Sequence, residues 1–106
     1  MHSQQSIELI AQRVAAASSS PSKVILIGSY ARGDATENSD IDLLVLQKEF
    51  SDKATEYQRL IAEIHAVSFN VDLIRMREED FEWKSLVGGT LPYWAKKEGR
   101  VLHVFR

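Results

Sequence analysis

Apolar positions recur along this chain with two periods, and the switch between them outlines the fold. Ile7, Ile10, Val14 and Ala17, with Ala11 beside them, fall at helical spacing. They predict an amphipathic helix from Ser3 to Ala17, ended by the SSSPS run that follows. Lys23 to Ile27 (KVILI) is a short continuous apolar run stopped by Gly28, as in a central strand covered on both faces. Ser29 can cap a helical turn through Tyr30 to Arg32, with Gly33 ending it in a left-handed conformation. Asp34 to Ser39 (DATENS) is loop chemistry, and Ile41 to Leu46 reads as the second strand.

Beyond that strand, Ser51 can cap a longer helix whose buried stripe is Tyr57, Leu60, Ile61, Ile64 and Val67. Phe69 and Asn70 turn the chain into a third strand, Val71 to Arg75. The acidic Glu78 to Asp80 suits the first turn of another helix, where carboxylates favour the dipole, and Gly88 and Gly89 break it. Thr90 and Pro92 can start a last short helix, with Lys96 and Lys97 near its end and Gly99 closing it. Val101 to Phe105 is then a terminal edge strand. Four strands alternating with helices predict an α/β (α+β) fold.

Composition sharpens this picture. With 106 residues, 44% hydrophobic and 26% charged, the chain is expected to form one ordinary globular domain over residues 1–106. So small a domain buries a modest share of its surface, which favours a partner completing its substrate site. A formal charge of −2 argues against binding duplex nucleic acid through phosphate contacts, and the absence of cysteine excludes disulfides and thiolate metal sites. No signal-like N-terminus and no window of about 20 apolar residues is present, so a cytoplasmic protein without membrane association is expected.

The chemistry concentrates on the second and third strands. Alternation sends Asp40, Asp42, Leu44 and Leu46 to one face and Ile41, Leu43 and Val45 to the other, so Asp42 shares a face with leucines. Desolvating a carboxylate is costly unless a positive charge compensates it, and a bound cation would do so. Asp72 sits on the third strand. Neighbouring strands lie about 4.8 Å apart, so Asp40, Asp42 and Asp72 can converge on one cluster. Hard oxygen donors point to Mg²⁺, with Mn²⁺ an alternative, and two such ions can activate a hydroxyl and stabilise the leaving oxygen of a phosphoryl-type displacement.

Phosphate needs a second contact. Gly28, directly after a buried strand, lets backbone approach closely, while Ser29 adds a hydroxyl at the start of a helical turn. Arg32 can contact phosphate or pair with Asp34 or Glu37. The segment begins like a Walker A loop, but Asp34 and Ala35 stand where that loop requires Lys and Ser or Thr, which excludes it.

Gly28-Ser29, ten intervening residues, then Asp40-x-Asp42, with Asp72 on a later strand, resembles the minimal nucleotidyltransferases of the DNA polymerase β superfamily. The likeness runs from Val24 to the closing EGRVL. It implies a polymerase β-like nucleotidyltransferase fold with a mixed β-sheet of about four strands flanked by helices, Gly28 and Ser29 holding a nucleoside triphosphate, Asp40 and Asp42 binding Mg²⁺, and Asp72 helping to bind metal and activate the acceptor hydroxyl. Members this small resemble antitoxins of HEPN-domain ribonuclease toxins. That likeness implies transfer of NMP, above all AMP from ATP, to a tyrosine of the toxin, in a homodimer or hetero-oligomer. Two alternatives stay open: transfer to a small molecule such as an aminoglycoside, and a non-catalytic antitoxin module acting by contact.

Other conspicuous residues have ordinary readings. His65 is taken as a partly exposed helix residue, and His2 and His103 lack partners at metal-binding spacing. Tyr30 is read as local packing, and Trp83, Tyr93 and Trp94 as core or core-edge aromatics.

Overall fold

The computed structural model describes residues 2–49, 52–66 and 70–105. Along the chain run α1 (Gln4–Ala17), β1 (Ser22–Ile27), α2 (Ser29–Arg32), β2 (Ile41–Gln47), α3 (Lys53–His65), β3 (Val71–Arg77), α4 (Glu78–Lys84), α5 (Leu91–Glu98) and β4 (Arg100–Phe105). The strands form one four-stranded sheet in the order β3-β2-β1-β4. β1 pairs antiparallel with β2 and β4, whereas β2 and β3 are parallel, with α3 as the connection that parallel neighbours require. This is the mixed, helix-flanked sheet that the family resemblance implies, with β1 and β2 inside and β4 at an edge.

Alternation along the inner strands builds two cores. Val24, Leu26, Ile41, Leu43 and Val45 face Ile7, Ile10, Ala11 and Val14 of α1 and Leu60 and Ile64 of α3. Ile25, Ile27, Leu44 and Leu46 face the other way, towards Ala95 of α5, with Ile74, Met76 and Phe81 packed around them. Because both faces are covered, the inner strands are apolar almost throughout, and polar residues are left for their ends.

Capping follows side-chain chemistry. Ser3 accepts from the Ser6 amide at 3.1 Å, and Thr90 accepts from the Tyr93 amide at 3.2 Å, with Pro92 in the first turn of α5. The cap of α3 is Asp52, which accepts from the Ala54 amide at 3.1 Å, while Ser51 lies outside the described residues. Val67 and Phe69 lie outside them as well.

Two packing expectations need correction. Tyr57 is 40% exposed, and the buried stripe of α3 is Glu56, Leu60 and Ile64. Glu56 turns inward because it has partners there. Its Oε2 accepts from the Ser19 amide at 3.2 Å, from the Ser19 hydroxyl, and from Gln47 Nε2 at 2.8 Å. Tyr57 lies instead against the Arg75 guanidinium, 5.5 Å from the ring centroid. Trp83 and Trp94 are 56% and 49% exposed, so neither is a core aromatic. The inward position on α5 belongs to small Ala95, which lets the helix lie close to Ile25 and Ile27 and turns its neighbour Trp94 outward.

Candidate active site

The site forms where β1 ends and β2 and β3 begin. Ile27, Asp42 and Asp72 are register partners across the three strands. Directly paired residues project to the same face, so both carboxylates stand on the face shared with Leu44 and Ile74. Asp42 is half-buried and Asp72 exposed.

Gly28 follows Ile27 with φ 75° and ψ −155°, a conformation that is essentially reserved for glycine. The lack of a side chain matters as much as the angle, because a Cβ there would collide with Oδ2 of Asp42. From this turn springs α2. Its cap is Gly28 rather than Ser29, which is the first residue of the helical turn. The Ala31 and Arg32 amides each donate to Gly28 O at 3.1 Å. Those of Ser29 and Tyr30 come first in the turn, where the helix itself offers no acceptor. Gly33, at φ 86° and ψ 13°, closes α2 in the expected left-handed conformation and donates to Ser29 O at 3.0 Å. Tyr30 packs locally, its hydroxyl accepting from the His2 amide at 3.2 Å.

A cavity of about 670 Å³ opens beside this turn, and its walls include Gly28, Arg32, Asp42, Ile74, Leu91 and Trp94. Ser29, Asp40 and Asp72 lie outside that lining. Arg32 Nε is 3.3 Å from Asp34 Oδ2, and its Nη1 is 3.8 Å from Glu98 Oε2. Glu98, not Glu37, is thus its second acidic partner. That pairing depends on α5 folding back over β1 and could not be read from sequence distance.

Burial pushes the Asp42 carboxyl above the usual aspartate range. The charge and hydrogen-bonding proximity of Asp72, then the charge of Asp40, push it further, and Arg32 partly offsets them. The two strand carboxylates therefore meet, and Asp40 is close enough for its charge to act on Asp42. Asp40 directly precedes the first residue of β2 and is exposed. Among the described residues no three His, Asp or Glu side chains form a ready-made metal cage. The donor set nevertheless fits a hard divalent cation: two oxygen ligands in mutual contact, one carrying a raised pKa that a cation would relieve.

Residues 7–93 match the family described as "Nucleotidyltransferase domain". The chain belongs to this nucleotidyltransferase family. One relative is the "Putative protein adenylyltransferase MJ1305" of Methanocaldococcus jannaschii, 34% identical over 68 residues, which are 59% of this chain and 46% of that protein. The chain thus spans about half the length of this relative. Among solved structures, a toxin-antitoxin with AMP-PNP superposes with a TM-score of 0.64 at 21% identity, over 91% of this chain and 72% of that one. The complex of a tri-AMPylated Shewanella oneidensis HEPN toxin with its MNT antitoxin gives a TM-score of 0.61 at 20% identity, over 95% of this chain and 72% of that one. These likenesses place the mixed sheet and its helices within the nucleotidyltransferase fold. Among the described residues no helix is long and apolar enough to cross a membrane.

The sequence reading missed Ile74, Leu91, Trp94 and Glu98 as site residues. Ile74 was visible as the residue two beyond Asp72 on the same strand face. The α5 residues gave no comparable signal, because their role depends on how α5 docks.

Proposed function

We propose that this chain acts as a nucleotidyltransferase domain over residues 1–106 that moves AMP from ATP to a tyrosine hydroxyl of a HEPN-type toxin. It would act as the cytoplasmic antitoxin, in a hetero-oligomer with that toxin. The observation that carries the reading is the Asp42 carboxylate packed on Gly28 and paired in register with Asp72, beside a cavity that also admits Arg32. The family match, the adenylyltransferase name of the relative and the AMP-PNP and AMPylated complexes among the fold neighbours support the substrate and partner.

In this reading Gly28, Ser29 and Arg32 hold the triphosphate: the glycine by close backbone approach, the serine by its hydroxyl and amide, the arginine by charge. The acceptor oxygen attacks the α-phosphorus, the bond from that phosphorus to the β-phosphate bridging oxygen breaks, and pyrophosphate leaves. Asp72, exposed at the start of β3, accepts the hydroxyl proton. Asp40, Asp42 and Asp72 would hold Mg²⁺, which when bound stabilises charge on the transferred phosphoryl oxygens.

Pyrophosphate release tests this. Mixed with ATP, Mg²⁺ and its toxin partner, the protein should release pyrophosphate, and excess EDTA should stop it. Tight toxin binding and inhibition without pyrophosphate would favour a module that works by contact alone.

A further inference from the structure

The cavity wall contributed by α5 is aromatic and open. Leu91 and Trp94 lie three residues apart on one helix face and both line the cavity, 39% and 49% exposed. Glu98, one turn further along the same face, also lines the cavity and pairs with Arg32. Trp94 and Glu98 therefore start about one helical turn apart, roughly 6 Å of rise. Its ring is held edge-on by Tyr93, with centroids 5.2 Å apart and planes at 86°. A positioned aromatic surface thus lies within the same cavity as Gly28 and Asp42.

We infer that Trp94, backed by Leu91, is the surface on which the base of the bound nucleotide stacks. The inference rests on the nucleotide-binding reading above and adds to it the base subsite. The lining divides by chemistry: the β1–α2 turn and β2 supply a glycine, a cation and a carboxylate suited to phosphates and their metal, while Leu91 and Trp94 of α5, with Ile74, supply the apolar wall that a base requires. Stacking on an indole accepts any base through its π-face and favours the larger purines.

The chain has two tryptophans, so Trp83→Phe leaves Trp94 as the single indole reporter. In that background, ATP should quench the emission saturably, and inorganic tripolyphosphate, which has no base, should leave it unchanged. Calorimetry should find ATP binding weakened about five- to a hundred-fold by Trp94→Ala and largely restored by Trp94→Phe, with tripolyphosphate binding equal in all three proteins. Wild-type ATP affinity in Trp94→Ala, or an equal loss of ATP and tripolyphosphate, would overturn the base subsite while leaving nucleotide binding intact. If the unmodified protein bound neither ligand, the nucleotide reading would fall, and the subsite with it.

Discussion

The carboxylate of Asp42 occupies the space where a side chain on Gly28 would begin. One residue supplies the absence that the other fills, and together they bring a backbone turn against a candidate metal ligand. Gly28→Ala therefore faces two penalties, a collision with Oδ2 and a backbone conformation worth roughly 1–3 kcal/mol of strain for a non-glycine residue. Relieving the collision by swinging Asp42 aside would also part it from Asp72. Urea denaturation should show that loss of stability, accompanied by loss of nucleotide transfer. Gly33→Ala is the control: its φ is also positive, but the space around it is open, so it should be destabilised by strain alone and keep its activity.

Asp42 predicts an unusual pH dependence. Because its folded-state pKa is raised, the folded protein holds this proton more tightly than the unfolded chain does. The resulting stability is fully present below the ordinary aspartate range and is lost as pH rises through the raised value. In EDTA at pH 7, Asp42→Asn should therefore be more stable than the unmodified protein, and the gain should vanish at acid pH. Mg²⁺ should narrow the gap by stabilising the unmodified protein. Thermal denaturation in EDTA that finds the variant equal or weaker at pH 7 would contradict the electrostatic account.

Glu56 runs the other way. Burial raises its pKa, but hydrogen bonds from Ser19 and Gln47, with the Arg59 charge, outweigh burial and hold it below the usual range. Its contribution is present above the unfolded glutamate value and fades as pH falls through the lowered one. Glu56→Ala should cost roughly 1–3 kcal/mol at pH 7, since the Ser19 amide loses its acceptor and Gln47 Nε2 keeps only Ser18. In urea titrations at a series of pH values the cost should shrink on the acid side.

Arg32 separates structure from function. Its pairs with Asp34 and Glu98 are exposed, so Arg32→Ala should change stability by less than about 1 kcal/mol. A charge-assisted phosphate contact is worth more, roughly 1.5–3 kcal/mol, and calorimetry should find ATP binding weakened accordingly.

The parts of this site that could be read from the sequence are those fixed by local rules. Strand alternation put Asp42 on the face of Leu44, and a glycine directly after KVILI marked the tight turn. What stayed hidden depends on packing between distant segments. Glu56, Leu60 and Ile64 form as regular a helical stripe as one with Tyr57 in place of Glu56, and only the Ser19 and Gln47 partners decide between them. Trp94 reads from its type alone as core or core edge, whereas Ala95 holds the inward position and leaves Trp94 exposed.

The central claim is that Asp42 sits at the heart of a site that transfers AMP to a protein. Intact-mass spectrometry of the toxin partner, after incubation with ATP, Mg²⁺ and either the unmodified protein or Asp42→Asn, tests it most directly. The account predicts toxin heavier by one or more AMP units with the unmodified protein and unchanged mass with the variant. Equal modification by both proteins, or an unmodified toxin in each case, would contradict it.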